Sequence, residues 1–107
     1  MATGRLGADD LSAATNTTIY TVPADTFAVA TVSVCNRNAS TAATIQIAVA
    51  ATDTPTSSEY IEYDTQLVAS GVLERTGVVV GAGQKIVVRS STGSVNAVVY
   101  GIETATT

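Results

Sequence analysis

From Thr17 onward, short runs of β-branched and small apolar residues alternate with clusters of turn formers. The spacing, about 8–12 residues, is that of strands in a sandwich or barrel. Thr17–Val22 is stopped by Pro23 and Asp25, and Phe27–Cys35 by Asn36, Asn38 and Ser40. Ala43–Ala50 alternates cleanly, with Ile45, Ile47 and Val49 on one face and Gln46 and alanines on the other. After the polar stretch Thr52–Ser58 come Glu59–Asp64, a short piece at Leu67 and Val68, and Val72–Val80 with a break expected at Gly77. Gly81–Gln84 turns the chain into Lys85–Ser90, and Ser91–Ser94 turns it again into Val95–Glu103. No period of 3.6 residues persists. The pattern predicts an all-β fold: a single antiparallel β-sandwich, jelly-roll or Ig-like, of about 7–8 strands.

The kind of apolar residue agrees. Of 107 residues 46% are hydrophobic, but aromatics are only 5% and Trp is absent, so Ala and Val dominate. Such side chains fill a thin core between two pleated sheets and would underfill a thick helical one. Residues 1–16 carry two glycines and no sustained period, and read as a flexible N-terminal arm. Within it, Leu11–Ala14 is expected to form at most a helical turn, capped by Asp9 or Asp10. Residues 17–103 form the sandwich domain and 104–107 a short C-terminal tail.

Charged residues are only 13% of the chain, about half the usual share. A nearly uncharged surface of Thr, Ser and Ala is suited to lying against other protein. The net charge of −4 and the scattered Arg5, Arg37, Arg75, Lys85 and Arg89 argue against nucleic acid and anionic membranes as partners. No apolar run reaches the ~18 residues that span a bilayer. No secretory signal is visible, and the lone Cys35 fits synthesis in a reducing host cytoplasm.

Chemistry is sparse. The chain has no His, which removes the commonest general base and metal ligand, so no catalytic residue, metal site or cofactor is expected. Cys35 reads as a small hydrophobe in or near the core. On a regular strand, Tyr60, Glu62 and Asp64 share one face, the two carboxylates about 7 Å apart. That spacing suits paired glycosidase carboxylates. The simpler reading is a solvated or interface face, with an ion pair to Arg75 or Arg89. Gly81–Gln84 lacks the Lys-Ser/Thr ending of a phosphate loop and reads as a hairpin turn. Tyr20, Tyr60, Tyr63 and Tyr100 alternate with apolar residues as core or interface tyrosines do. An exposed cluster of Tyr60 with Glu62 and Asp64 would favour a sugar-binding role, and an apolar environment around those tyrosines would count against it.

Five segments carry a resemblance: Ile19–Ala24, Val32–Arg37, Glu59–Asp64, Leu73–Gly77 and Val98–Glu103. In this order and spacing they resemble small virion structural proteins of tailed bacteriophages, over about Gly4 to Glu103. The resemblance implies a non-enzymatic capsid decoration (cement) protein that binds the outside of the head and stabilises it. A tail, neck or baseplate protein is the alternative, and a small carbohydrate-binding module the third reading. Its expected partners are the major capsid protein, or tail or baseplate proteins, and further copies of itself in a homo-oligomer, with a trimer as one symmetric arrangement. The expected location is the virion. Interface candidates are Arg5, Leu6 and Leu11 on the arm, and Tyr60, Glu62 and Asp64 on the acidic strand.

Overall fold

The computed structural model describes residues 2–106; Met1 and Thr107, which the expected arm and tail include, lie outside the described residues. Eight strands are present among them: β1 (Thr3–Leu11), β2 (Thr17–Thr21), β3 (Thr26–Asn36), β4 (Ala43–Ala50), β5 (Tyr60–Leu67), β6 (Val72–Val80), β7 (Lys85–Ser90) and β8 (Val95–Ala105). The only helical element described is a single 3-10 turn at Ser57–Glu59. The strands form two four-stranded sheets, in the orders β1-β8-β3-β6 and β2-β7-β4-β5, and every pairing is antiparallel.

The core lies between the sheets and follows the period of two. Along β3 the inward residues Ala28, Ala30, Val32 and Val34 are buried, and Ile45, Ile47, Ile86 and Val88 meet them from the other sheet. Alanines on the first sheet facing isoleucines on the second keep the layer thin and filled. One end of the sandwich is organised by the buried Asn36. Its amide donates to the carbonyls of Thr41, Leu67 and Val68 at 2.9–3.2 Å, and its side-chain oxygen accepts from the backbone and side chain of Asn38. The β3–β4 and β5–β6 loops are thereby tied to one side chain.

The N-terminal segment differs from the flexible arm expected. Thr3–Leu11 pairs with β8 along its length, and Leu11 is a buried member of the core. No helical turn forms at Leu11–Ala14. Gly7 explains how the strand closes on its neighbour sheet: a Cβ there would lie 2.2 Å from the Ile19 carbonyl oxygen, so only glycine fits. The expected tail is also shorter, because β8 runs on to Ala105 opposite Thr26.

Three bulges, one in β6 and two in β5, set the open edge of the sandwich, where β5 and β6 are the outermost strands. In β6, Thr76 and Gly77 together oppose Thr31, with Gly77 at φ +67. The extra residue turns Leu73 and Arg75 inward, opposite buried Val34 and Val32. In β5, Ile45 pairs with Thr65 and Ile47 with Glu62, so Tyr63 and Asp64 both oppose Gln46. Glu62 therefore points inward as well and meets Arg75 from the facing sheet at 3.0 Å. The ion pair expected for the acidic strand is present, and it joins the two sheets.

Candidate interaction surface

The outer face of the first sheet is unusually apolar. Residues paired directly across strands point to the same side, so the register defines its rows. One row runs Thr3, Ile102, Val29, Val79 across all four strands. Ile102 is 55%, Val29 43% and Val79 65% exposed. Phe27 and Thr104 lie on one side of this row. On the other side come Arg5, Tyr100 and Thr31, then Ala8, Val98, Ser33 and Glu74. The last row carries Asp10, Asn96, Cys35 and exposed Val72.

Charge on this face is confined to Arg5, Glu74 and Asp10. Glu74 accepts a hydrogen bond from the Tyr100 hydroxyl at 3.0 Å, which holds the Tyr100 pKa above its ordinary value. Asp10 is paired with Arg37 at the margin. Four strands about nine residues long present roughly 600 Å² on one face, at ~4.8 Å between strands and ~3.4 Å per residue. That approaches the ~800 Å² each partner contributes to a standard protein interface.

The outer face of the second sheet is different. Its outward positions include Thr18, Thr21, Thr44, Gln46, Lys85 and Arg89. Thr18 donates to Asp53, and Lys85 approaches the same carboxylate at 3.8 Å. The small apolar residues between them, Ala48, Ala50 and Val87, are covered. The two outer faces are thus unlike: the first exposes a row of large apolar side chains, and the second covers its small apolar ones with polar neighbours.

The expected site residues separate accordingly. Arg5 is exposed on the apolar face, in register with Tyr100. Leu6 occupies the β1 bulge and packs half-buried against the core. Leu11 is buried and offers no surface to a partner. Glu62 does not share a face with Tyr60 and Asp64, because β5 bulges on both sides of it, at Ile61 and at Tyr63–Asp64. Glu62 is turned inward, its side chain 16% exposed. Asp64 points outward and accepts from the Gln46 amide at 2.8 Å. Tyr60 packs edge-on against Tyr63, ring centroids 4.9 Å apart. The carboxylate pair that would suit glycoside hydrolysis is therefore not assembled. Cys35 is half-buried, on the outer side of β3, in keeping with a core or semi-buried small hydrophobe.

The residues of the apolar row escaped sequence reasoning because Val29, Val79 and Ile102 look like any strand valine or isoleucine. The available signal was double-sided hydrophobicity: Phe27–Val32 and Val78–Val80 are apolar at nearly every position, which a strand with one solvated face does not need. Among the described residues no group of three or more His, Cys, Asp or Glu side chains could hold a metal ion. No family model matches the chain, and comparison with curated proteins and with solved structures gives no significant match.

Proposed function

We propose that the chain is a non-enzymatic structural protein of a tailed-phage virion: a decoration protein that lies on the major capsid protein by the outer face of its β1-β8-β3-β6 sheet. The observation that carries this reading is the exposed row Ile102, Val29 and Val79 on a face with few charges. A contiguous row of exposed apolar side chains, rimmed by polar residues, marks an interaction site. The resemblance of the five sequence segments supplies the virion, and the near absence of catalytic chemistry fits a protein that acts by binding.

The strand order supports reading the sandwich as a jelly roll. Sheets ordered 1-8-3-6 and 2-7-4-5 arise when a long antiparallel hairpin folds over twice, giving two Greek keys. Jelly rolls serve in capsid and lectin domains alike, so the surface rather than the fold bears the functional weight.

Cosedimentation with purified heads tests the proposal, comparing wild type, Val79→Glu/Ile102→Lys and a control substituted on the opposite face, Thr21→Lys. Wild type and control should pellet with heads, and the double variant should bind at least about tenfold more weakly. Binding to tails but not heads would move the protein to the neck, tail or baseplate. Binding to neither, or equal binding by the double variant, would overturn the docking face.

A further inference from the structure

The β5 bulge at Tyr63–Asp64 builds a groove on the polar face, opposite the proposed docking surface. It is lined by Ala14, Thr44, Gln46, Tyr63, Asp64, Arg89 and Ser91, with a volume of about 380 Å³. That is the small end of the ~300–1,000 Å³ range of small-molecule sites. The bulge sets Tyr63 and Asp64 side by side opposite Gln46, with Asp64 at φ 52, a left-handed conformation that Asp tolerates better than most residues. Such local departures from regular backbone concentrate where a side chain must be aimed.

The groove combines a fixed aromatic plane with converging donors and acceptors. Tyr63 is 63% exposed, while the edge contact with Tyr60 holds its ring. The Gln46 amide donates to one oxygen of Asp64, leaving the other Asp64 oxygen and the Gln46 carbonyl free to accept. Arg89 stands next to Gln46 across the β4–β7 pairing and forms no ion pair among the described residues. Its guanidinium brings several N–H donors to the same rim. A planar apolar patch beside an amide, a carboxylate and a guanidinium matches a ring with one C–H face and vicinal hydroxyls. Asp64 and Arg89 bring opposite formal charges to the rim, which together favour a ligand with no net charge.

We propose that this groove is a saccharide subsite that takes one neutral pyranose ring, stacked on Tyr63, with hydroxyls bridging Asp64, Gln46 and Arg89. The subsite does not depend on where the chain docks. Lying on the opposite face, it would remain open on a docked protein.

The test is a titration of the ¹⁵N-labelled full chain with glucose, galactose, mannose and N-acetylglucosamine, and separately with glucose 6-phosphate. At least one neutral sugar should cause saturable amide shifts confined to Thr44, Gln46, Tyr63, Asp64, Arg89 and Ser91, with millimolar affinity. Tyr63→Ala should weaken it about tenfold while the remaining spectrum is unchanged, and Tyr63→Phe should bind within about twofold of wild type. The proposal is overturned by the absence of saturable shifts with every sugar, by shifts mapping elsewhere, or by binding that survives Tyr63→Ala. Preferred binding of glucose 6-phosphate, lost in Arg89→Gln, would overturn the neutral class and mark an anion site. None of these results touches cosedimentation with heads.

Discussion

The Tyr20 hydroxyl, on the second sheet, donates a 2.5 Å hydrogen bond to the carboxylate of Glu103, on the first. The other oxygen of Glu103 accepts from the Ala2 amide at 3.0 Å, so one carboxylate joins β2, β8 and the start of the chain. The bond from Tyr20, and then that from Ala2, hold the Glu103 pKa below the ordinary 4.5. Burial first, and then the bond to Glu103, push the Tyr20 pKa well above its usual 10.0.

The sign of the acid effect follows. A depressed carboxylate pKa adds stability that is present above the unfolded value and lost as pH falls through the folded one. Melting temperatures of wild type and Tyr20→Phe, measured from neutral pH down to about pH 2, should therefore converge below about pH 4. A gap that stays constant over that range would contradict the linkage. At the alkaline end the raised Tyr20 pKa works in the opposite direction: its stability is full below pH 10 and lost as pH rises beyond it.

Leu11 separates a structural β1 from a loose arm. It is buried among core residues at the end of β1. Leu11→Ala should cost about 2–3 kcal/mol in urea unfolding, as expected for a truncated core leucine. A flexible arm would register almost nothing. Deletion of residues 2–11 should for the same reason unfold or severely destabilise the domain rather than merely weaken attachment.

Asn36 is fully committed, with three carbonyls on its amide and two donors on its oxygen. Asn36→Ala leaves buried partners unpaired and should lower stability by about 2–3 kcal/mol. Hydrogen exchange should accelerate together in the loops around Thr41, Val68 and Gly93, since Asn38 links the last of these to the same network.

The Glu62–Arg75 contact crosses the open edge of the sandwich. Arg75 is well exposed to solvent, so a double-mutant cycle with Glu62→Gln and Arg75→Gln should return a coupling of only about 0.5–1 kcal/mol, weakened by salt. A coupling of zero would mean that the edge is held by Leu73 and Ile61 alone.

Much of this architecture was legible in the sequence, because β3, β4, β7 and β8 carry strong alternation or continuous apolar runs between Gly, Asn and Ser turns. Ala43–Ala50 and Val72–Val80 have the bounds their sequence suggests. β1 was hidden for a physical reason: as an edge strand it buries little besides Leu6 and Leu11, and Gly4, Gly7 and the Asp9–Asp10 pair erase the period. The polar groove was hidden by register. Extra residues on both sides of Glu62, at Ile61 and at Tyr63–Asp64, put it on the side opposite Tyr60 and Asp64, and nothing in Tyr-Ile-Glu-Tyr-Asp announces either bulge. The Arg75–Glu62 partnership was foreseeable from charge; its location between sheets depended on the bulge at Gly77.

The order in which the strands sit has a consequence for how the chain is made. The last two of the described strands, β7 and β8, occupy interior positions in their sheets: β7 lies between β2 and β4, and β8 between β1 and β3. Until residues 85–105 have emerged, β1 and β3 lack their shared neighbour, and so do β2 and β4. Neither sheet can close without them, so productive folding waits for residues 85–105 and then proceeds through contacts of high sequence separation, a slow class of folding. During that interval the apolar strands of both sheets are unpaired, which exposes the partial chain to association with other chains.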